Sequence, residues 1–182
     1  AQCKLTIRVM MDVTGNLINT IPAFAVTTTQ GMSNHQPTSA TLTNLSSVGV
    51  TKRFDPNPVS PGSTSTLILD VRKIGIGIGL TGLGMSDTLL NGLVIATPAA
   101  ATNTCGGTLS APAGGTQIKL TGGAMPIGTG TCRITVDVLV PATGLRPGGY
   151  QNCIPVGNVN TDQGYTNVME TCDTLGTMFD PP

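Results

Sequence analysis

The sequence predicts an all-β fold, and three observations carry this prediction. Apolar residues recur at every second position in short segments rich in Val, Ile and Thr, which is the period of a strand with one buried face. No window of about a dozen residues combines helical spacing of apolar residues with a cap, so we expect little or no helix. Turn residues separate the segments in TGN, DPNPVSPGS, AGG and RPGG, which is the rhythm of a β-sandwich or barrel.

Four segments are predicted as strands, in chain order. They are CKLTIRVMM (3–11), STLILDV (65–71), TQIKLTG (116–122) and CRITVDVLV (132–140). Each is apolar or alternating over five to nine residues and is bounded by Gly, Pro, Asn or Ser, which interrupt strands and favour turns.

The composition limits the classes of function. The 182 residues are 39% hydrophobic with a formal net charge of zero, so the chain is expected to fold rather than to stay disordered. A nucleic-acid-binding protein needs clustered Lys and Arg, and a membrane span needs about eighteen consecutive apolar residues. The sequence contains neither, so we expect no nucleic-acid partner and no membrane span. Five cysteines with little other metal-ligand chemistry favour an oxidising, extracellular setting.

The chain repeats itself. Residues 19–34 and 152–167 are identical at eight of sixteen aligned positions, and residues 2–9 align with 131–138, placing Cys3 over Cys132. Such self-similarity indicates one and a half periods of a repeat. We therefore expect residues 1–45 to be the C-terminal half of one repeat and residues 46–182 to be a complete repeat.

A family resemblance rests on spaced motifs in a fixed order: FDPNPVSPGSTSTLILDV, LTGLGMSDTLLNGLVIATPAAATNTCGGTLSA, GTCRITVDV and YQNCIPVGNVNTDQG. Over residues 46–175 the chain resembles the tandem repeats of bacterial surface proteins known as DUF11-like or conserved-repeat domains. The resemblance implies an immunoglobulin-like β-sandwich, one full domain plus a half domain at the N-terminus, and export to the cell surface. It implies no biochemical activity, because a fold does not supply a function.

The resemblance also implies a disulfide between Cys105 and Cys132. The residues agree, since each cysteine flanks a strand-like run with the length of a hairpin between them. Closing a loop of about 27 residues restricts the unfolded chain by roughly 3 kcal/mol in the loop-entropy treatment.

The other three cysteines are treated separately. Cys153 and Cys172 lie on segments that should pair as neighbouring strands through the turn NTDQGYTN, so we expect a second, cross-strand bridge. Their counterparts in the first copy are Thr20 and Ser39, which cannot form one. Cys3 is left over, and we expect it to be either an unpaired thiol or part of an intermolecular bridge.

The N-terminal half repeat cannot stand alone. Residues 1–45 supply about three strands, and a sheet fragment with an uncovered apolar face and open edges is not stable in water. Either upstream sequence or a neighbouring subunit must complete it, as a donated strand completes an open sheet. We expect a head-to-tail polymer whose partners are copies of the chain itself.

The segment KIGIGIGL alternates isoleucine and glycine. Read with period two, the isoleucines face one way and the glycines the other, and a glycine face allows close approach of another backbone. We expect this face to contact a neighbouring subunit; an edge strand or loop lying on its own domain is the alternative. The expected interface consists of Ile74, Gly75, Ile76, Gly77, Ile78 and Gly79.

Catalytic and ligand-binding patterns are weak. Gly77, Gly79 and Gly82 fit G-x-G-x-x-G, but the following residues are too short and glycine-rich for the helix that would bind a phosphate. His35 is the only histidine and lies in a polar turn. The oxygen-bearing residues of NVNTDQGYTN could hold Ca²⁺, but a turn explains the same residues better.

Two functions therefore remain. The preferred one is a structural repeat or subunit of an extracellular bacterial filament or cell-surface stalk, assembled by strand complementation and stabilised by disulfides. The alternative is a stalk domain of a monomeric surface adhesin whose binding region lies elsewhere. We expect no enzymatic activity, no cofactor, no metal and no small-molecule substrate.

Overall fold

The computed structural model describes residues 4–9, 15–44 and 46–178, and these contain strands, turns and loops but no helix. The all-β prediction is confirmed for this part of the chain. The described residues divide into two compact units between Ser46 and Ser47, called unit 1 and unit 2.

The described residues of unit 1 form one antiparallel pair of strands, β1 (Gly15–Ile21) and β2 (Thr38–Asn44). The two strands pair over their full length, with Gly15 opposite Asn44 and Ile21 opposite Thr38. Every residue of β1 is exposed, whichever face of the ribbon its side chain lies on.

Unit 2 contains the remaining strands, which alternate buried and exposed residues in their longer members. In chain order they are β3 (Ser47–Asp55), β4 (Thr64–Ile74), β5 (Leu80–Thr88), β6 (Val94–Ile95), β7 (Thr102–Asn103), β8 (Thr108–Ser110), β9 (Gln117–Met125), β10 (Thr131–Leu139), β11 (Tyr150–Ile154), β12 (Val159–Asn160) and β13 (Thr171–Leu175).

Two antiparallel sheets form the sandwich. The first has the order β3-β4-β10-β6, with β7 also paired to β10, and the second has the order β12-β5-β9-β8. The inward residues of both sheets, such as Leu69, Ile134 and Leu120, form one core. Each such side chain contributes about 1.5–3 kcal/mol when it leaves water. The β-sandwich is thus confirmed, while this strand order does not establish the immunoglobulin connectivity.

A two-stranded ribbon of β11 and β13 closes the sandwich beside β3 and β5. The Thr171 hydroxyl donates to the Val50 carbonyl at 3.0 Å, and the Phe54 amide donates to the Asp173 carboxylate at 2.8 Å. Val59 forms a parallel bridge with Thr177 a few residues further on. The first and last strands of unit 2 therefore run side by side in the same direction.

The strand predicted over residues 3–11 is wrong for its described part, because residues 4–9 belong to no strand. A strand needs a hydrogen-bonded neighbour, and the corresponding strand of unit 2, β10, pairs with β4 along its whole length. Among the described residues of unit 1, nothing takes the place of β4.

The single-face interpretation of the isoleucine and glycine segment is also wrong. β4 ends at Ile74, Gly75 has a left-handed φ of 67°, and residues 75–79 form a loop that crosses to the other sheet. Ile76 packs against the core, whereas Ile74 and Ile78 are exposed. The strand stops because the chain has to leave one sheet and enter the next.

Candidate functional site

Two disulfides link strands and loops of unit 2, and they are the two pairs expected from the sequence. The first joins Cys105 to Cys132, and the second joins Cys153 to Cys172, which are directly opposite each other in the β11–β13 ribbon. Cys3 lies outside the described residues.

Unit 1 and the end of unit 2 are built by the same hydrogen bonds at positions 133 residues apart. Asn34 donates to the carbonyls of Pro22 and Gln36 and accepts from the Val26 amide. Asn167 makes the same three bonds, to Pro155, Met169 and Val159, with distances of 2.8 to 3.0 Å. The asparagine side chain replaces backbone partners inside the turn, which is why this turn keeps its shape in both places.

The cysteine pair of unit 2 has a hydroxyl pair as its counterpart in unit 1. Thr20 is directly opposite Ser39 in the β1–β2 ribbon, and the two side-chain oxygens are 2.8 Å apart. A hydrogen bond thus takes the position of the disulfide.

The apolar side chains of unit 1 are uncovered where their counterparts in unit 2 are buried. Five apolar side chains of unit 1 are between 37% and 68% exposed, whereas the five counterparts are at most 7% exposed. The pairs are Leu17 and Tyr150, Ile21 and Ile154, Val26 and Val159, Met32 and Tyr165, and Leu42 and Leu175. We call the five unit 1 residues the open face. In unit 2 the same positions belong to the core.

A depression of about 530 Å³ lies on this part of unit 1. It is lined by Val9, Leu17, Ile18, Leu42 and their neighbours on β1 and β2. A concave and apolar surface on a small β-ribbon is a typical place for another protein segment to pack.

A second cluster lies inside unit 2 and consists of Lys52, Asp87 and Asn152, here called the buried triad. Lys52 forms an ion pair with Asp87 Oδ2, and the side chains of both residues are completely buried. Asn152 is equally buried and donates from Nδ2 to Asp87 Oδ1 at 3.1 Å and to the Thr88 carbonyl at 2.8 Å. Asn152 Oδ1 has no hydrogen-bond partner among the described residues.

Three strands position the triad. Lys52 lies on β3, Asp87 on β5 and Asn152 on β11, so the cluster joins both sheets and the closing ribbon. The Val50 carbonyl accepts a hydrogen bond from β13 and the Phe54 amide donates one to it, and these bonds hold the β3 backbone on either side of Lys52.

Burial lowers the pKa of the Lys52 ammonium below its usual value, while the charges of Asp87 and Asp173 oppose this shift. Removing an ammonium from water disfavours its charged form. The Lys52 amine is therefore easier to deprotonate than an exposed lysine.

The triad was not predicted from the sequence, although the sequence contains a signal for it. Lys52 interrupts the inward series Val48, Val50 and Phe54, and the same kind of interruption occurs on β5 and β11. A polar residue at an inward position of a strand needs a partner inside the protein.

The turn residues considered for Ca²⁺ have other roles in the structure. Asn167 bonds to backbone groups as described, and Asp162 accepts from the Thr81 hydroxyl at 3.0 Å. The residues that follow Gly79 in the G-x-G-x-x-G match form β5 rather than a helix. One group of metal-ligand types occurs in the described residues, Cys153, Glu170 and Cys172, but its two sulfurs are bonded to each other.

No helix in residues 4–9, 15–44 or 46–178 is long and apolar enough to cross a membrane.

A family model described as "Domain of unknown function (DUF7933)" matches residues 49–176. This match does not show the DUF11-like grouping that the motifs suggested. No curated protein matches the chain.

Two solved structures are similar to the chain at low identity. The bacterial hydrophobin BslA is 15% identical, with a TM-score of 0.48, covering 75% of this chain and 99% of the hydrophobin. A putative membrane-anchored protein from Corynebacterium diphtheriae is 11% identical, with a TM-score of 0.45, covering 96% of this chain. The chain spans 47% of the length of that protein.

Proposed function

The chain belongs to the DUF7933 family, whose description assigns no function, and from its geometry we propose that it is a structural module of an extracellular bacterial filament or cell-surface stalk. In this proposal the module acts by packing and strand addition, and β-structure from outside the chain completes unit 1. The two disulfides support an oxidising location, because such bonds persist outside the cytosol.

The open face is the observation that carries the proposal. Its residues have the same local structure as their counterparts in unit 2, yet they are exposed to water. Leaving apolar side chains of this size exposed forgoes about 1.5–3 kcal/mol each. A surface of this kind favours contact with another protein segment.

Unit 2 supports a particular occupant for the open face. There, the counterparts pack in one core with strands β3 to β10. Residues 2–9 align with 131–138, so unit 1 already contains the counterpart of β10, and the proposed occupant is a half domain equivalent to residues 47–129, which carry β3 to β9. In the filament it is supplied by a neighbouring chain, and in the adhesin stalk it is supplied by the same polypeptide.

The occupant can be tested by adding a second copy of residues 47–129 in front of Ala1. We expect the extended protein to bind less of a dye that reports exposed apolar surface, and residues 15–44 to become resistant to proteolysis. The matched control carries Leu69→Asp and Val71→Asp in the added copy only, since these inward residues of β4 are completely buried in unit 2. Equal dye binding and proteolysis in all three proteins would contradict the proposal.

Electron microscopy of the purified 182-residue chain separates the two forms of the proposal. Regular fibres favour the filament, and separate particles of one chain favour the adhesin stalk. Non-reducing electrophoresis adds a second readout, because a Cys3 bridge between chains would produce a ladder of multimers.

A further inference from the structure

We propose that Lys52 and Asn152 are joined by an intramolecular isopeptide bond, formed inside unit 2 with the help of Asp87. The three side chains come from three strands, are completely buried and meet at one carboxylate. The proposal concerns unit 2 alone and does not depend on the function proposed for unit 1.

Lys52 supplies the nucleophile. An amine attacks a carbonyl only after it loses a proton, and desolvation inside a protein promotes that loss. Asp87 Oδ2 contacts Lys52 Nζ and is the acceptor for this proton. Hydrogen bonds between β13 and the residues Val50 and Phe54 keep the β3 backbone in place, so the amine is held beside the carboxylate that also contacts Asn152.

Asn152 supplies the acyl group. Its carboxamide nitrogen lies 3.1 Å from Asp87 Oδ1, so one carboxylate contacts both the amine and the amide. The carbonyl oxygen has no partner in the described structure, and a buried polar atom of this kind calls for an explanation. A carbonyl that is not engaged elsewhere is free to change its bonding as the amine adds to its carbon.

The reaction is balanced without any added reagent. Lys52 Nζ passes one proton to Asp87 and attacks the Asn152 side-chain carbon. The bond between that carbon and Nδ2 then breaks, and a second proton from Nζ leaves with Nδ2 as part of ammonia. The products are a Lys52–Asn152 amide, a protonated Asp87 and one ammonia.

The reaction also removes a costly feature of the core. Two opposite charges buried in a protein pay a large desolvation penalty, which their attraction offsets only in part. After amide formation neither charge remains, and the protonated Asp87 can hydrogen-bond to the new amide. The position of the triad between two sheets and the closing ribbon gives the bond a structural role, because it links β3 to β11.

The test is mass spectrometry of the full chain after denaturation and reduction of the disulfides. We expect the intact mass to be lower by one ammonia. A tryptic digest should contain a peptide with Lys52 covalently linked to a peptide with Asn152.

Three variants make the test specific. Lys52→Met and Asp87→Ala should each lose the cross-link, whereas Lys119→Met, at an exposed position on β9, should keep it. If a triad variant does not fold, the wild-type digest still decides the question.

Three results would overturn the proposal. The first is an intact mass equal to that calculated from the sequence, without loss of ammonia, together with a Lys52 amine that reacts with a labelling reagent after denaturation. The second is an ammonia loss that maps to Asn91, which precedes Gly92 and can cyclise by itself. The third is loss of one water with Lys52 linked to Asp87, which would remove Asn152 as the acyl donor.

Discussion

Thr20 and Ser39 show what a single pair of side chains contributes in this ribbon. Their hydroxyls hydrogen-bond across β1 and β2 at the position where Cys153 and Cys172 are covalently joined. Since the backbone pairing is the same in both ribbons, the disulfide is not needed to define the register. Its contribution lies in restricting the unfolded chain.

The first prediction follows from this pair. Replacing Cys153→Thr together with Cys172→Ser should leave unit 2 folded but lower its free energy of unfolding by about 3 kcal/mol, as expected for a short closed loop. Urea unfolding under oxidising conditions measures the change. The converse variant, Thr20→Cys with Ser39→Cys, should form a new disulfide, detected as the absence of free thiols at these positions. A variant with Cys153→Thr and Cys172→Ser that is as stable as the native protein would contradict this account.

At the level of single residues, the sequence predicted the cysteine pairs but not the buried triad. The pairing of Cys105 with Cys132 was implied by the family resemblance and agreed with their strand context, and that of Cys153 with Cys172 followed from the expected pairing of their two segments. Lys52, Asp87 and Asn152 lie on strands that are distant in sequence, and only the packing of two sheets and a ribbon brings them together. Their polar character at inward positions predicts burial, but it does not identify the partners.

Among the larger elements, the loop of residues 75–79 stays a predicted contact with a neighbouring subunit. Its glycines do not form the flat face that alternation suggested, yet Ile74 and Ile78 remain exposed next to Gly77. Lys73 holds the loop by donating to the carbonyls of Ile78 and Pro126 at 3.1 and 3.0 Å. A defined and partly apolar loop on the surface is suited to contact a neighbouring subunit.

Gly77→Val tests this contact. A β-carbon at Gly77 meets no atom within 4 Å, so the valine should leave the free energy of unfolding nearly unchanged. If the loop is an assembly interface, the variant should form fewer or shorter fibres, measured by light scattering and electron microscopy. Fibre formation equal to that of the native chain would remove the loop from the interface.

Three of the four long strands in the middle of a sheet were predicted from sequence, and the exception is β5, which contains Gly82 and Gly84 and pairs with β9 in an irregular register. β4, β9 and β10 have clear alternation because one face is buried along their length. β6, β7 and β12 are two residues long and exist only through pairing, so they carry no pattern of their own. Residues 4–9 have the pattern of a strand without its partner.

For the molecule as a whole, the contrast between Ile21 and Ile154 provides a matched pair. Ile154→Ala removes a completely buried side chain and should cost about 2–5 kcal/mol of unfolding free energy. Ile21→Ala should cost much less in the 182-residue chain, because Ile21 is 41% exposed. Both changes are measured by urea unfolding, in which brief proteolysis at each urea concentration reports separately how much of unit 1 and of unit 2 is unfolded.

The same pair also tests the covering half domain. In the protein extended with a second copy of residues 47–129, the cost of Ile21→Ala should rise toward that of Ile154→Ala. If Ile21→Ala still lowers the unfolding free energy only slightly in the extended protein, the added half domain does not cover the open face, and the proposed occupant is wrong.

The parallel course of β3 and β13 has a mechanical consequence. Force applied between the beginning and the end of unit 2 would load the links at Val50, Phe54 and Val59 simultaneously, in shear, instead of opening them one after another. Resistance to such pulling is governed by the rate of forced unfolding rather than by equilibrium stability. A unit with this strand arrangement is suited to transmit tension along a chain of similar units.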